Sequence, residues 1–191
     1  MPNLLLHICC GVCATGLISK LKEDGYKITG YFYNPNIHPY TEFKKRLRAV
    51  EVLAEQEKFT VHYESSYGLD EFLQSVAPYG KLNDSKRCMK CYEIRLQKTA
   101  RKAKELGFDT FTSTLIISPQ QDQSLIKNIG KNIAQSKGIV FKYDALTDLY
   151  PECKELAKKR QLYRQQYCGC IFSEYERYNT KPQITQIKKS E

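Results

Sequence analysis

Asn3-Leu4-Leu5-Leu6-His7-Ile8-Cys9-Cys10-Gly11-Val12-Cys13 is the stretch that decides the fold. Asn3–Ile8 is a short apolar run with no helical period, and it reads as a buried strand. A cysteine turn follows at once. Behind it a helix is expected from about Ala14 to Glu23, ended by Gly25. Lys27–Tyr33 then reads as a second strand, closed by the turn Asn34-Pro35-Asn36. A strand, a crossover helix and another strand make a parallel pair, and parallel sheets are covered by helices on both faces.

The pattern continues outward from that unit. Tyr40–Lys58 carries Phe43, Leu47, Val50 and Leu53 at helical spacing. Phe59–Tyr63 reads as a third strand and Leu69–Val76 as a short helix. A turn-like stretch, Pro78-Tyr79-Gly80-Lys81-Leu82-Asn83, precedes the middle cysteines, and a helix is expected from about Cys91 to Leu106. Asp109–Leu115 and Ile139–Tyr143 read as strands four and five. The helix between them is expected to begin at Ser118-Pro119, with serine as cap and proline in the first turn, and to reach about Ser136. Glu152–Arg164 is the last long helix expected. The expectation is an α/β fold, Rossmann-like, with a mostly parallel sheet flanked by helices. One domain is expected over residues 1–178, with a polar basic tail over 179–191. In such sheets the ligand site lies beyond the carboxyl ends of the strands, near the switch in strand order. The first cysteines sit there.

Seven of the eight cysteines fall into three tight groups: Cys9-Cys10-x-x-Cys13, Cys88-x-x-Cys91 and Cys168-x-Cys170. They lie near the beginning, middle and end of the chain, where a compact fold can bring them together. Thiolates bind soft metals, and short spacings let two of them reach one centre. One zinc ion or one cubane cluster needs four ligands, so seven thiols exceed a single centre. The excess points to an iron–sulfur cluster plus a second metal or a redox pair. Zinc alone is the competing reading, because the spacing itself does not select the metal. A phosphate-cradling turn would need glycines where Cys9-Cys10-Gly11-Val12-Cys13 stands. Cys153 stands alone and reads as a buried structural thiol.

The apolar share of 41% in 191 residues suits a globular domain with a real core. No apolar run is long enough for a bilayer, and the first residues lack a signal peptide's charged start, so a cytoplasmic location is expected. In a reducing compartment clustered cysteines read as metal ligands or catalytic thiols before disulfides. Lys and Arg number 30 against 21 acids, giving a formal net charge of +9. That surplus suggests a polyanionic partner, with nucleic acid as the default. His7, inside strand one, reads first as a core or supporting histidine and second as a ligand. Arg87 and Arg95 flank the middle cysteines; Arg160 and Arg164 precede the last ones. Tyr92, Tyr163 and Tyr167 lie near cysteines and are candidates to stack a nucleobase.

Five stretches together resemble the QueH family of epoxyqueuosine reductases: His7-Ile8-Cys9-Cys10-x-x-Cys13; Tyr31-x-Tyr33-Asn34-Pro35-Asn36-Ile37; Arg87-Cys88-x-Lys90-Cys91-Tyr92-x-x-Arg95-Leu96; Ser113-Thr114-Leu115-x-Ile117-Ser118-Pro119; and Tyr163-Arg164-Gln165-x-Tyr167-Cys168-Gly169-Cys170. Gly11-Val12 departs from the Ala-Pro that members often carry. The resemblance implies reductive removal of the epoxide oxygen of epoxyqueuosine at the wobble position of tRNA. It also implies a HUP-type Rossmann-like fold and a 4Fe–4S cluster beside a separate iron, fed by an electron donor that the sequence does not identify. Cys10, Cys88, Cys91 and Cys170 are then assigned to the cluster, and Cys9, Cys13 and Cys168 to the iron. Adjacent cysteines point in different directions, which separates Cys9 from Cys10; exchange within either close pair stays open. Arg46, Arg48, Lys86, Arg87, Arg160 and Arg164 are the expected tRNA contacts. The sequence names no general acid; His7, Tyr167 and water are the candidates. The rival readings are a cluster-dependent tRNA sulfur-transfer enzyme and a zinc-stabilised RNA-binding module.

Overall fold

Leu4, Leu5 and Leu6 are all fully buried, as a strand covered on both faces requires. The computed structural model describes residues 1–79 and 85–179. Among these, five strands form one sheet: β1 (Asn3–His7), β2 (Lys27–Phe32), β3 (Val61–Tyr63), β4 (Thr110–Ser113) and β5 (Val140–Phe141). Their order is β3-β2-β1-β4-β5, and every pairing is parallel. β1 is therefore central, and the strand order reverses between β1 and β4.

Seven α-helices are described: α1 (Gly11–Glu23), α2 (Tyr40–Glu57), α3 (Leu69–Val76), α4 (Ser85–Glu105), α5 (Gln123–Lys137), α6 (Tyr150–Lys159) and α7 (Ile171–Asn179). α1 packs against α2 and α6, and α4 packs against α3 and α5. Crossovers that leave β1 in one direction and β3 in the other put these two groups on opposite faces. The α1–α6 contact is close: a Cβ on Gly16 would lie 2.5 Å from Cys153 Sγ. Cys153 is fully buried there and is a packing residue. No helix among the described residues is long and apolar enough to cross a membrane.

Four helix boundaries differ from expectation by three residues or more, and β3, β4 and β5 are each shorter than expected. α1 starts at Gly11, so the first cysteine turn is the first turn of the helix. α4 starts at Ser85, because no helix breaker lies between Ser85 and Cys91. Cys88 and Cys91 thus sit one turn apart on a helix face, not in a preceding turn. α5 starts at Gln123 and not at Ser118-Pro119: the Asp122 carboxylate caps it by accepting from the Leu125 N–H at 2.9 Å. Residues Thr114–Ile117 wind into a 3-10 turn instead. α6 ends at Lys159, and Gln161 adopts a left-handed φ of 56°. α7 was not expected. Of the turn expected at Pro78–Asn83, residues 80–83 lie outside the described residues, as does the tail beyond Asn179.

Candidate active site

Cys9 leaves β1 at the point where the strand order reverses. Its backbone N–H donates to Thr114 Oγ1 at 3.0 Å, and the Thr114 hydroxyl donates to Cys9 Sγ at 3.1 Å. The first thiol is thereby tied to the end of β4, across the gap in which α/β sheets bind ligands. Cys10 caps α1, and Cys13 lies in the first turn of that helix. The Cys9 and Cys10 sulfurs are 3.9 Å apart. Hydrogen bonds from Cys10 and Cys13 hold the Cys9 thiol well below its usual range, against the effect of burial. Contact with Cys10 and Cys9, and then burial, pushes Cys13 well above it. The Cys13 contact lowers Cys10, but Cys9 and burial outweigh it and leave Cys10 at about 12. Thiols packed this closely cannot all ionise without a cation among them.

The middle and last groups are neighbours. Desolvation, then Cys168 and Cys170, push Cys88 up to about 11. Burial lifts Cys91 to about 12 although Arg95 opposes it, and Cys168 and Cys170 add to the rise. Cys168-Gly169-Cys170 lies in a loop. Gly169 has φ +143°, a region that side chains avoid, and a Cβ there would lie 3.1 Å from Arg46 Nη1. Gln121 Nε2 donates to Cys168 Sγ at 3.4 Å, and Gln165 Nε2 donates to Cys10 Sγ at 3.0 Å. Among the described residues, no three His, Cys, Asp or Glu side chains are grouped so as to hold one metal ion in the present arrangement.

Two of the expected RNA contacts face inward. Arg46 is 2% exposed; its Nε donates to Glu42 at 2.7 Å, and its two Nη groups donate to the carbonyls of Cys168 and Tyr167 at 2.8 and 2.9 Å. It fastens the last cysteine loop to α2 and cannot also meet an external phosphate. Arg87 is also buried, with its guanidinium 4.1 Å from the Phe172 ring centre and 3.1 Å from Glu176, so it fastens α7 to α4. Arg48, Lys86 and Arg164 are exposed. Arg160 is partly exposed and pairs with Glu57. Arg48 borders a groove of about 540 Å3 whose other walls include Lys44, Lys45, Leu162 and Tyr163.

His7 is fully buried at the end of β1. Its Nε2 lies 3.0 Å from the Tyr33 carbonyl, and its Nδ1 lies 2.7 Å from Ser113 Oγ. The carbonyl can only accept, so Nε2 donates and the Ser113 hydroxyl donates to Nδ1. Both nitrogens are used, and burial holds the ring neutral, with its pKa lowered to about 3. The Tyr167 hydroxyl donates to the His38 carbonyl. Neither group offers a free proton in this arrangement. Tyr92 is buried, and its hydroxyl accepts from the Asp122 N–H. Sequence reasoning missed Thr114, Gln121 and Gln165 as partners of sulfur. Nothing local marks them, since each meets its cysteine across more than 45 residues of chain.

The first thiol-rich stretch thus stands at the carboxyl end of the central strand of a parallel α/β sheet, the edge at which α/β proteins bind ligands, and Gln165 and Arg95 link it to the other two. Residues 4–176 match the family described as epoxyqueuosine reductase QueH, and the chain belongs to that family. The QueH epoxyqueuosine reductase of Dehalococcoides mccartyi is 38% identical over 177 residues, covering 93% of this chain and 95% of the relative. That of Thermotoga maritima is 34% identical over 191 residues, covering 97% of each. That of Helicobacter pylori is 39% identical over 180 residues, covering 89% of this chain and 49% of the longer relative.

Proposed function

We propose that this chain removes the epoxide oxygen of epoxyqueuosine in tRNA by two-electron reduction, using a 4Fe–4S cluster and a separate iron and no cobalamin. The reaction consumes two electrons and two protons and leaves an alkene and water. Family membership over residues 4–176 is the observation that carries this reading. The donor set supports the cofactors. Seven thiols stand on three stretches, and the buried Nε of Arg95 and Oε1 of Gln165 have no protein partner. Both atoms belong to residues that touch a cysteine sulfur. The order β3-β2-β1-β4-β5 supports a Rossmann-like fold of HUP type.

In this proposal Cys10, Cys88, Cys91 and Cys170 hold the cluster, and Cys9, Cys13 and Cys168 hold the iron. Cys170 acts on both Cys88 and Cys91, which supports placing the three together. Cys168 influences the same two thiols, so its exchange with Cys170 is the first alternative. When bound, the cluster would supply electrons and the iron would act as a Lewis acid toward the epoxide oxygen. The protein's own part is to place the thiols, exclude water from Cys10 and Cys13, and fix the loop of Cys168. Arg48, Lys86, Arg160 and Arg164 are the cations left to meet tRNA phosphates. Water takes the role of proton source, since His7 and Tyr167 are engaged.

An anaerobic assay with epoxyqueuosine-containing tRNA and a chemical reductant tests the reading. Queuosine should form. A chain with its full complement of iron and sulfide that forms none would sink the assignment. Each cysteine changed to serine, with iron and sulfide counted per chain, tests the partition. Loss of all sulfide in Cys9→Ser or Cys13→Ser would overturn it.

A further inference from the structure

Arg95 is a cation buried without a carboxylate. It is 2% exposed, and among the described residues it makes no ion pair. Its Nη2 donates to Asn34 Oδ1 at 3.1 Å, and its Nη1 approaches Cys91 Sγ at 3.9 Å. Its Nε is buried with no partner. Arg46 makes the contrast, because its buried charge is matched by Glu42 at 2.7 Å. A buried charge left unmatched costs several kcal/mol, on the order of the penalty for breaking a buried pair. Arg95 therefore requires an anion that no described side-chain carboxylate supplies.

The position of the guanidinium says where that anion lies. Asn34 anchors it, and the Asn34 Nδ2 donates to the Ile8 carbonyl at 2.9 Å, the peptide immediately before Cys9. Arg95 stands one helical turn beyond Cys91 on α4, at the spacing that places two side chains on one face. Its charge acts on Cys9, Cys91 and Cys168, one thiol from each stretch.

We propose that Arg95 is the fixed counter-cation of the thiolate-bound centre, and that it biases that centre toward its reduced form. This rests on the iron–sulfur reading above. A thiolate-ligated cluster is net negative and gains a further negative charge on reduction. A cation held beside it stabilises the reduced state more than the oxidised one and raises the potential. The side chain acts through the cluster's environment and is a positioning residue.

Anaerobic redox titration of the reconstituted protein, followed by electron paramagnetic resonance, tests this. Arg95→Gln should keep its iron and sulfide and show a midpoint more negative by a tenfold change in the reduction equilibrium, about 59 mV for one electron. Arg95→Lys should fall between that variant and the parent. An unchanged midpoint in a fully loaded Arg95→Gln overturns the proposal, and so do equal shifts in the Gln and Lys variants. If Arg95→Gln does not load, Asn34→Asp decides: it sets a carboxylate against the guanidinium and should shift the midpoint the same way, and no shift overturns the proposal. Absence of iron and sulfide from the parent chain is a different result; it removes the iron–sulfur reading itself and this inference with it.

Discussion

The first cysteine stretch and the last are held in place by different parts of the protein. Cys9, Cys10 and Cys13 are set by backbone: a central strand ends, a helix begins, and the thiols occupy the joint. The helix beneath them is packed so tightly that Gly16 has no room for a methyl group beside Cys153. Cys168 stands on no such element, and Cys170 stands only at the start of the surface helix α7, where its carbonyl accepts from the Glu174 N–H at 3.0 Å. Their loop is held from elsewhere in the fold, by the Arg46 side chain, which donates to two of its carbonyls, and by the His38 backbone N–H, which donates to the Gly169 carbonyl at 2.7 Å. The lesson is that a multi-stretch site needs only one stretch fixed by the sheet, while tethers fix the other. Such tethers are single points of failure.

Cutting the main tether should have the largest effect. Arg46→Ala leaves the buried Glu42 carboxylate without its cation, with only the Tyr163 hydroxyl still donating to it, and frees two loop carbonyls. The expected loss is about 3–5 kcal/mol in urea unfolding, and amide exchange at residues 167–170 should accelerate. Unchanged exchange there would mean that the loop is held by something else.

The residue whose backbone forms the second tether carries a ring that titrates. His38 is 1% exposed, and burial lowers its pKa to about 4 from 6.5, against a smaller opposing contribution from the Pro35 backbone. Between those values the unfolded chain binds a proton that the folded chain does not. The contribution is fully present above pH 6.5 and is lost as the pH falls toward 4. It amounts to about 3 kcal/mol over that window. His38→Gln should flatten this part of the stability profile, and an unaltered slope would assign it to other groups.

The first stretch should fail differently. Gly16→Ala is expected to cost about 2 kcal/mol by overpacking, and Cys153→Ala in the same chain should recover most of it. No recovery would mean that the helices do not meet at this contact. The smallest effect belongs to Arg48, two residues from Arg46 but exposed and paired with Glu51 at 3.1 Å. Arg48→Ala should change stability by less than about 0.5 kcal/mol. Its effect should appear instead as weaker tRNA binding with a shallower salt dependence.

The same contrast governs how much could be read in advance. The apolar run at Leu4–Leu6 and the turn behind it show the parallel fold, because strand and helix periods are local properties of the chain. The cysteines advertise themselves by spacing. Arg46 and Arg87 carried no such mark: as residues of charged helices they read as surface cations, yet both are buried. Burial of a charge depends on what arrives from elsewhere, and here the arrivals are Cys168 and Tyr167 for one arginine and Phe172 for the other. α7 escaped notice although its apolar residues are as helically spaced as those of α4 or α5: it is short, and none of its nine residues is fully buried.

The sequence by itself determined the α/β class, the strand–cysteine turn–helix order at the start of the chain and the three thiol-rich stretches, since each follows from local pattern and side-chain chemistry. Only the tertiary structure decided that Cys9 meets Thr114, that His7 is locked between Ser113 and Tyr33, and that Arg95 is a buried cation with no carboxylate partner. Those are relations between residues remote in sequence, and no local pattern encodes the distance between them.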